Sequence, residues 1–98
     1  MLTHCVFFWA KPDLSDDDRV TFEQGLRGLL KIPLVLDGSV GVPASPNRPV
    51  VERSYSFALM LRFADVAAHD AYQVHPTHEA FHTRCKAYWD RVVVYDFS

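Results

Sequence analysis

Residues Leu2 to Ala10, LTHCVFFWA, decide how the rest of the chain has to be arranged. The run is aromatic and β-branched and is closed by Lys11 and Pro12, which reads as a strand. At a period of two, one face carries Leu2, His4, Val6, Phe8 and Ala10, and the other Thr3, Cys5, Phe7 and Trp9. Both faces are largely apolar, whereas a sheet with one wet face alternates apolar with polar. Any fold for this chain must therefore cover the strand twice.

The first cover is a helix. Ser15 offers a hydroxyl cap, and Asp16, Asp17 and Asp18 follow it against the positive end of the helix dipole, which explains the acidic cluster without a cation. Phe22, Leu26, Leu29 and Leu30 recur at helical spacing, so an amphipathic helix faces the core and stops at Pro33, after Lys31. Val35 to Val42 predicts a short or bulged strand, weakened by Gly38 and Gly41. Pro43 to Arg53 reads as a loop, without the glycine cluster of a phosphate cradle. Tyr55 to Phe63 is the clearest strand, with Tyr55, Phe57, Leu59, Leu61 and Phe63 on one face and Ser56, Ala58, Met60 and Arg62 on the other. Ala64 and Asp65 open a short helix through Val66, Ala67 and Tyr72; Pro76 breaks it and starts a second segment that runs to about Trp89. Val92 to Phe97 closes the chain as a β-branched strand, with Arg91, Val93, Tyr95 and Phe97 facing one way.

The order β-α-β-β-α-β, with its second helix split, predicts an α+β, ferredoxin-like fold: an antiparallel four-stranded sheet with the helices on one face. The second cover then has to come from another copy. We expect a homodimer joined through the sheet faces, a dimeric α/β barrel. At 98 residues the chain reads as a single domain, 1–98, and 49% apolar with 13% aromatic residues is enough to fill a core and to exclude disorder. A net charge of −2 with no block of Lys or Arg leaves no electrostatic footprint for nucleic acid or a membrane surface. The first residues lack a basic leader, and their apolar run is too short to span a bilayer. Cys5 and Cys85, without a CxxC spacing, read as packed thiols in a reducing cytoplasm.

The candidate chemistry lies in Tyr72 to Trp89, YQVHPTHEAFHTRCKAYW, which holds His75, His78 and His82. On a helix, His78, Phe81, Cys85 and Tyr88 form one stripe with His82 beside it, and Tyr72 adds a second titratable group one to two turns upstream. An imidazole can take a proton from an acidic carbon at neutral pH, and a phenol can hold the developing enolate oxygen or orient the imidazole. A satisfied core histidine beside a packing tyrosine would give the same pattern. His75, His78 and His82 also form an H-x2-H-x3-H run, and His78 with His82 has the spacing of helical zinc ligands. No second cluster supplies a firm third ligand and His75 falls at the helix boundary, so no metal site is expected. His69 and Glu79 read as solvated surface groups, and Trp9 and Trp89 as core or dimer-interface anchors.

Together these elements resemble the stress-responsive dimeric α/β-barrel (Dabb) domain family. The resemblance rests on LTHCVFF with His4, the pair Ile32-Pro33, Gly41, the strand Tyr55 to Phe63, the segment Tyr72-x-x-His75-Pro76-x-His78, Trp89, and the ending Asp96-Phe97. It covers almost the whole chain. Similar domains include plant stress proteins without an assigned reaction and a plant polyketide cyclase that closes an aromatic ring by aldol condensation. By that resemblance His78 is the general base and Tyr72 its helper, in a pocket between helices and sheet. Where the cyclase has a further pocket histidine, this chain has Phe57, which argues for a different substrate. The resemblance implies His78 and Tyr72 as catalytic residues and His4, Phe57, Phe81 and Tyr88 as substrate-binding ones. A small hydrophobic polyketide-like or β-keto compound is the expected substrate, with no cofactor. A non-catalytic stress-associated or ligand-binding protein is the alternative, and a cofactor-free monooxygenase-like or haem-handling barrel a further one.

Overall fold

Two-faced apolar strands belong at the centre of a sheet, and the computed structural model, which describes residues 1–44 and 46–98, puts them there. The elements are β1 (Leu2–Ala10), α1 (Asp16–Leu29), β2 (Asp37–Gly41), β3 (Phe57–Phe63), α2 (Val66–Gln73), α3 (Pro76–Cys85) and β4 (Trp89–Phe97), with a single 3-10 turn at Lys86–Tyr88 before β4. The strands form one antiparallel sheet in the order β2-β3-β1-β4, the ferredoxin-like arrangement.

The register settles which residues each face receives. Leu2, His4, Val6 and Phe8 stand opposite Phe63, Leu61, Leu59 and Phe57, and all eight are buried under the helices. Cys5, Phe7 and Trp9 share the other face with Met60 and Ala58 of β3 and with Tyr95, Val93 and Arg91 of β4. Tyr55 packs on this face against Phe7 and Trp9 at 5.1 and 6.5 Å, but its β4 side lies open: Tyr95 is 65% exposed and Phe97 60%. The Arg91 guanidinium lies 4.2 Å over the Trp9 ring.

Local signals explain the helices. The Ser15 hydroxyl accepts from the Asp18 N–H at 3.0 Å, and Asp65 caps α2 by accepting from the Ala68 N–H at 2.8 Å. His75 caps α3: its Nδ1 accepts from the Thr77 N–H at 3.1 Å while Pro76 occupies the first turn. Phe22, Leu26 and Leu29 carry α1 onto the sheet, and Phe22 is wholly buried, a side chain whose removal from water contributes about 1.5–3 kcal/mol. After Leu29 the chain tightens into three-residue turns, Leu30 to Arg27, Lys31 to Gly28 and Ile32 to Leu29, before Pro33.

Several boundaries differ from the sequence reading: β2 spans only Asp37–Gly41 of the expected Val35 to Val42, and α1 ends at Leu29 rather than after Lys31. The last helix ends at Cys85, not at Trp89, and β4 begins at Trp89 rather than Val92. Trp89 pairs with Ala10 across a register shift, and its ring stacks on Phe81 and Phe22 at 6.0 and 5.6 Å, so its backbone is drawn into the sheet. β3 begins at Phe57 rather than Tyr55, although Ser56 still ties this end to β1 by donating from its N–H to the Phe8 carbonyl at 2.7 Å. Pro43 to Arg53 holds no helix or strand among its described residues, and Ser45 within that loop lies outside them.

Candidate functional site

The site begins with a residue forced inward by the alternation of β1. His4 shares the helix-covered face with Leu2 and Val6 and is 5% exposed, the one polar residue buried among the described residues. β4 places Asp96 directly opposite it, and His4 Nδ1 lies 2.5 Å from Asp96 Oδ1. Burial lowers the His4 pKa, and the bond and charge of Asp96 oppose that shift.

α2 then lays two aromatic groups over this pair. The His69 ring lies 4.7 Å from His4, and Tyr72 lies 6.3 Å from His4 and 5.0 Å from Phe63. His69 Nε2 is buried without a hydrogen-bond partner, and its Nδ1 lies 3.4 Å from Asp70 Oδ1. Tyr72 is 1% exposed, and burial raises its phenol pKa far above the ordinary range. His78, on the first turns of α3, meets the Tyr72 ring edge-on at 4.8 Å. Burial lowers the His78 pKa, the imidazoles of His82, His4 and His69 lower it further, and Glu79 raises it. His78 is therefore neutral at pH 7, the form that accepts a proton. It lines a groove of about 320 Å³ with Gln73, Glu79, His82 and Thr83.

The structure thus brings together Tyr72, His78 and His4 of the expected residues, and leaves Phe57, Phe81 and Tyr88 elsewhere. Phe57 packs on Phe22 at 5.2 Å and under the Arg19 guanidinium at 4.8 Å. Phe81 stacks on Trp89, and the Tyr88 hydroxyl points to Asp18 at 3.5 Å. These rings fill the region where an enclosed apolar pocket was expected. The groove beside His78 is polar, because it lies on the outer side of α3. A larger cavity, about 490 Å³, lies on the opposite sheet face between Phe7, Trp9, Glu52, Tyr55, Arg91, Val93 and Tyr95.

Two members of the cluster escaped the sequence reading. His69 is not a surface group: its side chain is 12% exposed and its ring touches His4 and Phe63. The available signal was its place one turn before Tyr72, on the same face of a helix. Asp96 has the parity of Val92 and Val94, opposite to Tyr95, which puts it on the His4 side of the sheet. The three histidines at 75, 78 and 82 do not converge, since the His75 ring is occupied in capping α3 and the His82 ring turns to Trp89 at 6.1 Å. Cys5 and Cys85 are both free thiols with pKa values raised by burial, which suits packing rather than nucleophilic work. Among the described residues no helix is long and apolar enough to cross a membrane.

Comparison with known proteins places this arrangement. A solved structure from Arabidopsis thaliana superposes with a TM-score of 0.83 at 21% identity, covering 100% of this chain and 94% of that one. A dimeric ferredoxin-like protein of unknown function from Thermobifida fusca gives 0.80 at 20% identity, with 99% and 89% covered. A hydroxynitrile lyase from Passiflora edulis gives 0.80 at 20% identity, with 98% and 90% covered. At these identities the likeness is one of fold. No curated protein sequence matches the chain. The model of one family, the stress responsive A/B barrel domain, matches residues 2–98, and the chain belongs to that family, Dabb.

Proposed function

We propose that this protein is a proton-transfer enzyme acting on a small carbonyl compound with an acidic carbon, of the polyketide-like or β-keto class, by cyclisation, isomerisation or lyase chemistry. The observation that carries this reading is the edge-on contact of His78 with Tyr72 at 4.8 Å, with His78 opening onto the groove beside α3. His78 is the general base, held neutral by its surroundings. Tyr72 keeps its proton at any working pH, so its hydroxyl serves as a hydrogen-bond donor to a developing enolate oxygen. The clustering of shifted groups, His4, Tyr72 and His78, in one place is the pattern of a site built for proton movement. A structure of this fold named for a lyase reaction is consistent with such chemistry.

The working unit in this proposal is a homodimer joined through the open sheet face. Its support is the exposed pair Tyr95 and Phe97 beside Phe7, Trp9 and Met60, together with matched structures described as dimeric.

The test is exchange of the acidic C–H of a simple β-diketone with deuterated water, followed by NMR. Wild-type protein should accelerate exchange, and His78→Ala should lower that acceleration by about 10²–10⁴-fold. Equal exchange by the two proteins refutes the reading. A second reading, a non-catalytic binder using the same groove, is favoured by the 1% exposure of Tyr72. In that case wild-type protein accelerates nothing, and His78→Ala changes only ligand affinity.

A further inference from the structure

We infer that His4, His69 and Asp96 form a binding site for one divalent transition-metal ion of the zinc class, with two imidazole nitrogens and one carboxylate oxygen as its donors. One ligand atom from each residue lies within 4.8 Å of the other two. Four-coordinate zinc with ligands at about 2.0–2.2 Å needs donors about 3.4 Å apart. The His4–Asp96 pair must therefore open from 2.5 Å by somewhat under 1 Å, and His69 must close by up to about 1.4 Å. Side-chain rotations supply movements of that size. The three residues come from three elements, β1, α2 and β4, so the sheet register and the α2 cap set their spacing rather than any local sequence run.

The second line of argument is His69 itself. Its Nε2 is buried and unpartnered, an arrangement that is costly for a polar group and that folded chains rarely leave unexplained. Its other ring nitrogen faces the Asp70 carboxylate at 3.4 Å. Metal-ligating histidines are commonly held by a carboxylate on the ring nitrogen that does not bind the ion, and Asp70 stands near enough to take that place. The donor set excludes magnesium and calcium, which take oxygen ligands, and suits borderline first-row ions. Three protein ligands leave a fourth position for water or a substrate oxygen, and the Tyr72 ring stands 6.3 and 6.2 Å from the two imidazoles. An ion here also lies within reach of the proton-transfer cluster, but the inference does not depend on that cluster being catalytic.

The experiment is titration of chelator-stripped full-length protein with zinc by calorimetry, and with cobalt(II) as a spectroscopic stand-in that reports nitrogen and oxygen ligation by its d–d absorption. One ion per chain is expected, with the intense visible absorption of a four-coordinate site. His69→Ala and Asp96→Asn should each weaken binding by more than the roughly 10–100-fold that the loss of an outer partner costs, and Asp70→Asn by about 10-fold. Asp96→Asn keeps the shape of a half-exposed edge residue, so it remains informative should His69→Ala not fold. His78→Ala and His82→Ala should leave affinity unchanged, which separates this site from the base and from the histidine run on α3. The inference is overturned if wild-type protein binds neither ion stoichiometrically. It is equally overturned if Asp96→Asn binds as wild type, or if His82→Ala abolishes binding.

Discussion

Gly38 on β2 provides a quantitative test of the packing beneath the site. A Cβ built there would lie 2.4 Å from the Met60 carbonyl oxygen and 2.9 Å from both Leu30 Cδ2 and Leu61 Cδ2. Ordinary contact begins at 3.4 Å, so Gly38→Ala demands a retreat of about 1 Å from a backbone atom that cannot rotate away. β2 is paired to β3 on both sides of this point, from Asp37–Arg62 to Gly41–Ala58, and so it cannot move without stretching ladder bonds. Overpacking of this kind costs about 1–3 kcal/mol and a weakened hydrogen bond about 1 kcal/mol more. We expect a loss of about 2–3 kcal/mol, or a fall of roughly 10–20 °C in Tm for a chain of this size. Gly28, near the end of α1, is the control: nothing lies within 4 Å of its Cβ. Gly28→Ala should gain about 0.5 kcal/mol from helix propensity and raise Tm by a few degrees. Thermal unfolding by circular dichroism at one fixed protein concentration reads both, the concentration being held because association shifts apparent stability. Equal Tm values for Gly38→Ala and wild type would refute the close approach of β2 to the core.

Other expectations concern the site and the open face. Because burial holds the His78 pKa below its ordinary value of about 6.5, base-catalysed exchange should rise with pH, with its midpoint below pH 6.5, and reach a plateau on the alkaline side. Glu79→Gln removes the one group that raises this pKa and should move the midpoint lower, while a wild-type midpoint above 6.5 would contradict the burial argument. The same shift bears on stability. The unfolded chain binds a proton at His78 that the folded chain refuses, so this contribution is complete above about pH 6.5 and is lost as the pH falls below it. His75→Ala removes the cap of α3 and should cost about 1 kcal/mol, read by urea denaturation, without altering metal affinity. Tyr95→Glu places a charge on the open sheet face at a residue already 65% exposed, so the fold should survive while light scattering reports a monomer instead of a dimer.

How much of this could be read beforehand differs between fold and site for a physical reason. Binary patterning at a period of two reports which face of a strand is buried, and β3 carries it; β1 is apolar on both faces, and its pairing with β3 decides which face the helices cover. In the two strands the alternate residues from Leu2 to Phe8 and from Phe57 to Phe63 are the buried ones. The caps at Ser15 and Asp65 are equally local, as is Pro76 in the first turn of α3. What periodicity misjudged was the end of α3. The stripe from His78 to Tyr88 continues at helical spacing past Cys85, but the long-range pairing of Trp89 with Ala10 overrides it. A helical period cannot anticipate a strand partner eighty residues away in the chain.

The site fails to be local in the same way, and for it the failure matters more. His78 and Tyr72 could be paired from their spacing because one short turn joins α2 to α3. His4 and Asp96 stand at opposite ends of the sequence, and only the antiparallel register of β1 with β4 puts an imidazole against a carboxylate. The lining expected at Phe81 and Tyr88 extended one helical stripe into a pocket, and that expected at Phe57 rested on the resemblance, yet all three rings pack against Phe22, with Phe81 also stacked on Trp89. An apolar stripe records that a face is buried and not whether space remains beneath it. The polar groups are the better guide, because each buried one must be answered by a partner or by a ligand. His4 is answered by Asp96. His69 Nε2 is the buried side-chain atom without an answer among the described residues, and it lies beside the base and the phenol on which the proposed chemistry depends.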